Sequence, residues 1–242
     1  MEDALGKSVL DITDEERKVM WFLAHVSERI GRYEDCLQLL GLLVPSEREF
    51  VESNRRLVAR AFQTVMERNL KAIMAFKDAQ SKPEAQASKG KIRVAGLIAK
   101  IENEQVRIHA NFLSMLKTNI LPGLSDPNQI VLLHKTIGDA FVYIADIVKD
   151  DQRKAATATA KESYETALKV AEQDIGFASD IYIACALNYS TFEYKFMSVR
   201  EHPIYVLRRA YSKATSQMKD VSPDGRAMLH LMKSNIASWT AE

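Results

Sequence analysis

The sequence predicts an all-α protein of about nine antiparallel helices, arranged as a bundle or a solenoid, and three observations carry that prediction. Only 9 Gly and 6 Pro punctuate 242 residues, too few for the turns of a many-stranded sandwich or barrel. Apolar residues recur at spacings of three and four over long stretches, and no strand-length alternation flanked by turn pairs interrupts them. At 47% hydrophobic and 27% charged, the chain can bury a sizeable core in one large domain or two small ones.

The elements follow in order. Thr13-Asp14-Glu15-Glu16 and Ser46-Glu47-Arg48-Glu49 both read as capping boxes, a hydroxyl for exposed N–H groups and a Glu at the third helical position, so each is expected to start a helix. After Ser46 the stripe Phe50, Leu57, Val58, Ala61, Phe62, Val65, Met66, Leu70, Ile73 and Met74 persists through about seven turns. The polar stretch 77–91, with one Pro and one Gly, is expected to be an exposed connection. A second long helix is expected from about Ile92 to Ile120, ended by Leu121-Pro122-Gly123. Asp126-Pro127 supplies an N-cap and a proline at the first helical position for a run from Ile130 to Val148. Later boundaries are expected at Asp174-Ile175-Gly176, His202-Pro203 and Ser222-Pro223-Asp224. Residues 1–14 are expected to be an N-terminal extension open to disorder, and 15–242 a single helical domain.

Charge and chemistry exclude several function classes. With 33 Lys+Arg against 32 Asp+Glu the formal charge is +1, which argues against bulk attraction to nucleic acid or membrane. The acidic start lacks the basic flank and apolar run of a signal peptide, and no apolar stretch approaches the roughly 18 residues of a membrane span; a cytoplasmic protein is expected. Cys36 and Cys185 sit in apolar runs and read as reduced, buried thiols. None of His25, His109, His134, His202 and His230 has a Glu three residues before it, so a ferritin-like di-iron site lacks its ligands. HExxH, Walker, GxSxG and CxxC patterns are absent. We therefore expect no enzyme, no cofactor and no metal. Asn188-Tyr189-Ser190 matches a glycosylation acceptor but lies in an apolar helical run and reads as a chance match.

Three segments carry a family resemblance: Leu229 to Glu242 (LHLMKSNIASWTAE), Ala186-Leu187-Asn188-Tyr189-Ser190, and Gly138-Asp139 with Tyr143. Together they resemble the signature segments of the 14-3-3 family. Glu28 to Asp35 is similar to the family's first inter-helix segment, and Lys100 to Glu104 through Ile120-Leu121-Pro122 to its fourth helix. The resemblance covers most of the chain after about Glu15, with low identity in the third helix. It implies nine antiparallel helices, a homodimer through the N-terminal helices, and a concave groove that binds phosphoserine or phosphothreonine peptides. A tetratricopeptide array is the nearest structural alternative, but no clear repeat of about 34 residues appears.

A phosphate of about −1.5 to −2 charges needs several convergent donors. The resemblance puts Arg56 at the first basic position of the phosphate pocket and keeps Tyr143, but places Gln63 and Val142 where the family has arginines. Two lost charge-assisted hydrogen bonds, at roughly 1.5–3 kcal/mol each, are enough to turn a micromolar binder into a millimolar one. Two readings stay open. In one, Arg56, Tyr143, Arg60 and Lys195, with Lys135 on the same stripe as Val142, form a relocated anion pocket; Lys195 stands where the family has a glutamate. In the other, Arg60 and Lys195 are surface charges, the phosphate site is lost, and the protein is a scaffold for unphosphorylated or acidic segments.

Asn188 and Asn235 resemble the asparagines that bond the peptide main chain, and Leu187, Leu231 and Trp239 match groove-wall positions. Arg32 with Glu104, and Asp35 with Lys100, occupy positions that form intersubunit salt bridges, beside an apolar face that includes Val26 and Ile30. The expected function is that of a non-catalytic, dimeric adaptor whose partners are phosphorylated proteins or peptides.

Overall fold

The computed structural model describes residues 12–46, 51–82, 88–197 and 200–241, and among these it contains nine α-helices and no strand. The chain divides into two compact units, residues 1–123 and 124–242.

In the first unit, α1 (Asp14–Arg29) starts at the predicted capping box. The Glu16 N–H donates to Thr13 Oγ1 at 3.3 Å and the Thr13 N–H donates to Glu16 Oε2 at 3.0 Å, while three acidic residues in the first turn face the positive end of the helix dipole. Gly31, at φ 78°, makes the turn into α2 (Tyr33–Ser46). Of the second expected capping box only the backbone of Ser46 is described. Ser46 is the last residue of α2, Glu47 to Glu49 lie outside the described residues, and α3 (Glu52–Ser81) begins after Val51, which supplies no side-chain cap.

At 30 residues α3 is longer than its stripe suggested, and it runs into the stretch 77–91 expected to be a connection. Its charged faces are held by neighbours: Lys77 pairs with Glu102 at 3.3 Å, and Arg68 pairs with Glu34. The next helix, α4 (Ser88–Met115), continues through a wide π-type turn at Leu116–Ile120 and a tight turn at Leu121–Gly123, so the predicted end at Ile120 is where regular α geometry has already been lost. Leu57, Val58, Ala61, Phe62, Val65, Met66 and Ile73 of the predicted stripe are buried, with Phe62 stacked on Phe112 of α4 at 4.3 Å. Met74 is a correction: it lies one residue off the buried edge and is 63% exposed. Phe50 lies outside the described residues.

In the second unit, α5 (Pro127–Ile147) starts as predicted, with the Asn128 N–H donating to the Asp126 side chain at 3.0 Å. A break at Val148 and Lys149, unmarked by Gly or Pro, leads to α6 (Asp150–Val170), which ends in a π-type turn at Ala171–Ile175 closed by Gly176 at φ 100°. Next come α7 (Asp180–Phe196), α8 (Glu201–Ser216) and α9 (Pro223–Ala241). His202-Pro203 marks the first turn of α8 rather than a break, because a proline there removes no intrahelical bond.

The core of this unit is aromatic: Tyr164, Tyr182, Tyr189 and Phe192 are buried with Ile183, Leu207 and Met232. Polar ties fix the helices. Arg209 of α8 donates to both oxygens of Glu172 at 2.7 Å, and His202 Nδ1 lies 2.6 Å from the buried Glu193 of α7. Ser222 Oγ donates to Asp180 at 2.7 Å and accepts from the Gly225 N–H at 2.9 Å, so the start of α9 is fastened to the start of α7. Cys36 and Cys185 are buried and free, and burial pushes each thiol up to about 12, which leaves them unreactive.

Candidate functional site

The site builds from Gly138 outward. A Cβ on that glycine would stand 2.8–2.9 Å from the ring of Tyr164, so glycine alone lets α6 approach α5 at this point. The next residue, Asp139, is thereby set beside the Tyr164 hydroxyl. Its Oδ1 accepts from Tyr164 Oη at 2.6 Å and from Asn188 Nδ2 of α7 at 2.9 Å, and its Oδ2 accepts from Lys135 Nζ at 2.7 Å. Burial, and then the Asp139 carboxylate, hold the Tyr164 phenol well above its ordinary range, so it stays a donor. Three helices thus meet at one nearly buried carboxylate whose donors are all supplied.

Lys135 is therefore spoken for: its side chain is 16% exposed and lies on Asp139. Asn188 is half-buried, and among the described residues its side-chain oxygen accepts no hydrogen bond. The sequence singled out Lys135 and Asn188 as site residues and Asp139 only within a family segment, without the contacts that tie them together. Tyr164, 25 residues from Asp139, was not singled out.

Val142 packs against the apolar core of the second unit, and Gln63 is exposed on α3 with its Nε2 on Glu67 Oε1 at 3.1 Å. Arg56 and Arg60 lie on the exposed side of α3, where Arg60 pairs with Glu28 of α1 at 3.1 Å. Tyr143 is half-buried on α5. Lys195, in the last turn of α7, pairs with Asp146 of α5 at 2.6 Å and lies 5.0 Å from the centre of the Phe196 ring.

The expected wall residues divide. Leu187 is 8% exposed and belongs to the core, whereas Leu231 is 51% exposed on α9. Asn235 follows half-buried one turn later, and Trp239 stacks flat on Tyr194 of α7, with ring centres 4.2 Å apart. Arg200 lies 4.2 Å from the centre of that same tyrosine ring, which anchors the stack through cation–π attraction.

In the first unit, Arg32 and Asp35 pair with each other rather than waiting for a second chain, while Lys100 is exposed and Glu104 half-buried. Val19, Phe22 and Leu23 of α1, and Ile30 just past its end, are in the open; Phe22 is 65% exposed, and Val26 of the expected face is half-buried.

No helix among the described residues is long and apolar enough to cross a membrane. The chain matches the family model described as "14-3-3 protein" across residues 23–240. It is 22% identical over 235 residues to the 14-3-3-like protein GF14 iota of Arabidopsis thaliana, covering 95% of this chain and 88% of that protein. It is 22% identical to 14-3-3 protein 7 of Solanum lycopersicum, covering 95% and 93% of the two chains. With the 14-3-3 family protein artA of Aspergillus flavus the identity is 24%, and the coverage 91% and 94%. Nearly the whole length of each relative is accounted for by this chain, and the chain belongs to the 14-3-3 family.

Proposed function

We propose that the protein is a non-catalytic, cytoplasmic adaptor that binds phosphoserine or phosphothreonine segments through a phosphate site weaker than its family's. The observation that carries this reading is the Asp139 network, which holds Asn188 ready to bond an extended main chain, in a chain matched to the family over residues 23–240. Asn235 on α9 is assigned the same role, with Leu231 and Trp239 beside it as apolar wall.

For the phosphate the family resemblance implies Arg56 and Arg60 of α3, Tyr143 of α5 and Lys195 of α7, and we assign that role to each residue by itself. Arg60 and Lys195 already hold the carboxylates Glu28 and Asp146, which are themselves only 12% and 16% exposed, so a phosphate of about −2 must compete with those partners. Lys135 is different: its buried pair with Asp139 holds it in the network, and we assign it no phosphate. Phosphate recognition without Gln63 and Val142 as arginines runs on fewer fixed donors, and weaker binding follows. The alternative, a scaffold for unphosphorylated or acidic segments, is favoured by those same two replacements.

We also propose a homodimer, with the exposed Val19, Phe22 and Leu23 of α1 and Ile30 just past its end buried between chains. Use of Arg32 and Asp35 across that contact, toward Glu104 and Lys100, requires their own pair to open.

Titration of a labelled phosphoserine peptide with wild-type protein and Arg56→Ala tests the phosphate reading. A loss of about tenfold in the variant, growing weaker as salt is added, supports it. Unchanged, salt-insensitive binding moves the reading to the scaffold alternative.

A further inference from the structure

Phe196, at the end of α7, is flanked by two cations, of which one holds a carboxylate and the other does not. We propose that the second of them, Arg153 of α6, laid on the Phe196 ring, is a further anion subsite, which takes a carboxylate side chain lying within about three residues of the phosphoserine in the bound segment. The proposal rests on the phosphopeptide reading above.

The ring is a fixed platform. Phe196 is half-buried against the core of the second unit, 5.7 Å from Phe192 centre to centre. Lys195 Nζ lies 5.0 Å from the centre of the ring and the Arg153 guanidinium 5.3 Å. Lys195 already holds Asp146, whereas Arg153 is exposed and, among the described residues, its guanidinium meets no carboxylate. Its neighbours in the chain do not compensate it: Asp151 pairs with Lys154 at 3.2 Å, and the exposed Lys149 and Asp150 offset one another in charge. Cation–π attraction holds the guanidinium on the ring without using its N–H donors, so the planar fork stays open and loses less freedom when a carboxylate arrives. Arg209 shows the bond such a fork makes, with both oxygens of Glu172 at 2.7 Å. The charges of Lys195 and Arg153 lie no more than about 10 Å apart, the length of about three extended residues. A segment whose phosphate lies on Lys195 therefore presents a nearby side chain to Arg153. Aspartate or glutamate there gains a charge-assisted bond, and lysine or arginine is repelled.

A charge scan tests this. In a phosphoserine peptide the residues up to three positions to either side of the phosphoserine are made Asp in turn, each against an Asn control, and binding to full-length wild type, Arg153→Gln, Arg153→Lys and Lys154→Gln is read by fluorescence anisotropy. At one position or more the Asp peptide is expected to bind wild type about threefold to fivefold tighter than its Asn control, an advantage that shrinks as salt is added. The advantage vanishes in Arg153→Gln, is partly kept in Arg153→Lys, and persists in Lys154→Gln, which removes the same charge one residue away. No preference for Asp at any position, a preference undiminished in Arg153→Gln, or one lost equally in Lys154→Gln overturns the proposal while leaving phosphopeptide binding intact. If wild type binds no phosphopeptide, the functional reading fails, and titration with hexaglutamate, followed in the arginine side-chain nitrogen-15 spectrum, decides the subsite. An Arg153 Nε resonance that moves at lower peptide concentration than those of the other exposed arginines supports it; one that moves no sooner than theirs overturns it.

Discussion

His109 gives the first unit a dependence on acid that a single substitution should remove. The ring lies on α4, 6% exposed, and burial pushes it down to about 4 from an ordinary value of 6.5. The unfolded chain therefore takes up a proton at this residue before the folded chain does. Stability at this site is whole above about pH 6.5 and is lost progressively as the pH falls from about 6.5 to about 4. At 1.36 kcal/mol per unit the full loss is about 3 kcal/mol. His109→Leu, an apolar residue of similar size, should flatten that window in the first unit. The assay is urea unfolding from about pH 4.5 to 7.5 in a Trp239→Phe background, which leaves the buried Trp21 of α1 as the one tryptophan reporting on the first unit. If the pH profiles of His109→Leu and its parent superimpose after a constant offset, the ring is not held neutral and the reasoning is wrong.

Other positions carry their own expectations. Gly138→Ala drives a methyl group into the Tyr164 ring and should destabilise the second unit by about 1–3 kcal/mol, measured by thermal unfolding. Thr13→Ala removes the box that starts α1 and should cost about 1 kcal/mol, seen as faster amide exchange in that first turn. His202→Ala leaves the Glu193 carboxylate, 4% exposed, without its 2.6 Å partner and should cost about 1–3 kcal/mol, with His202→Gln restoring part of it.

What the sequence made legible was what is local. The Thr13 box worked because a hydroxyl and a Glu three residues on satisfy the open N–H groups of a helix start, and Asp126-Pro127 worked because the Asp carboxylate caps the start and proline fits the first helical position. At the second such pattern α2 runs on through Pro45 to Ser46, and Glu47 to Glu49 lie outside the described residues. The break at Val148 and Lys149 carried no glycine or proline to announce it. At the site, residue likeness identified Asn188, and the helical stripe with Val142 identified Lys135, but neither said what they touch. Asp139 joins residues 25 and 49 positions away, and no spacing rule reaches that far. The carboxylates beside Arg60 and Lys195 were hidden for the same reason: Glu28 and Asp146 come from other helices.

Phosphate-dependent binding is the central claim, and the most direct measurement is the ratio of affinities for one peptide with and without its phosphate, taken at physiological salt. The account predicts that the phosphorylated form binds at least about tenfold tighter, and that Gln63→Arg with Val142→Arg raises this ratio further by returning two charge-assisted donors. Equal affinity for the two peptides, unchanged by the added arginines, would contradict it.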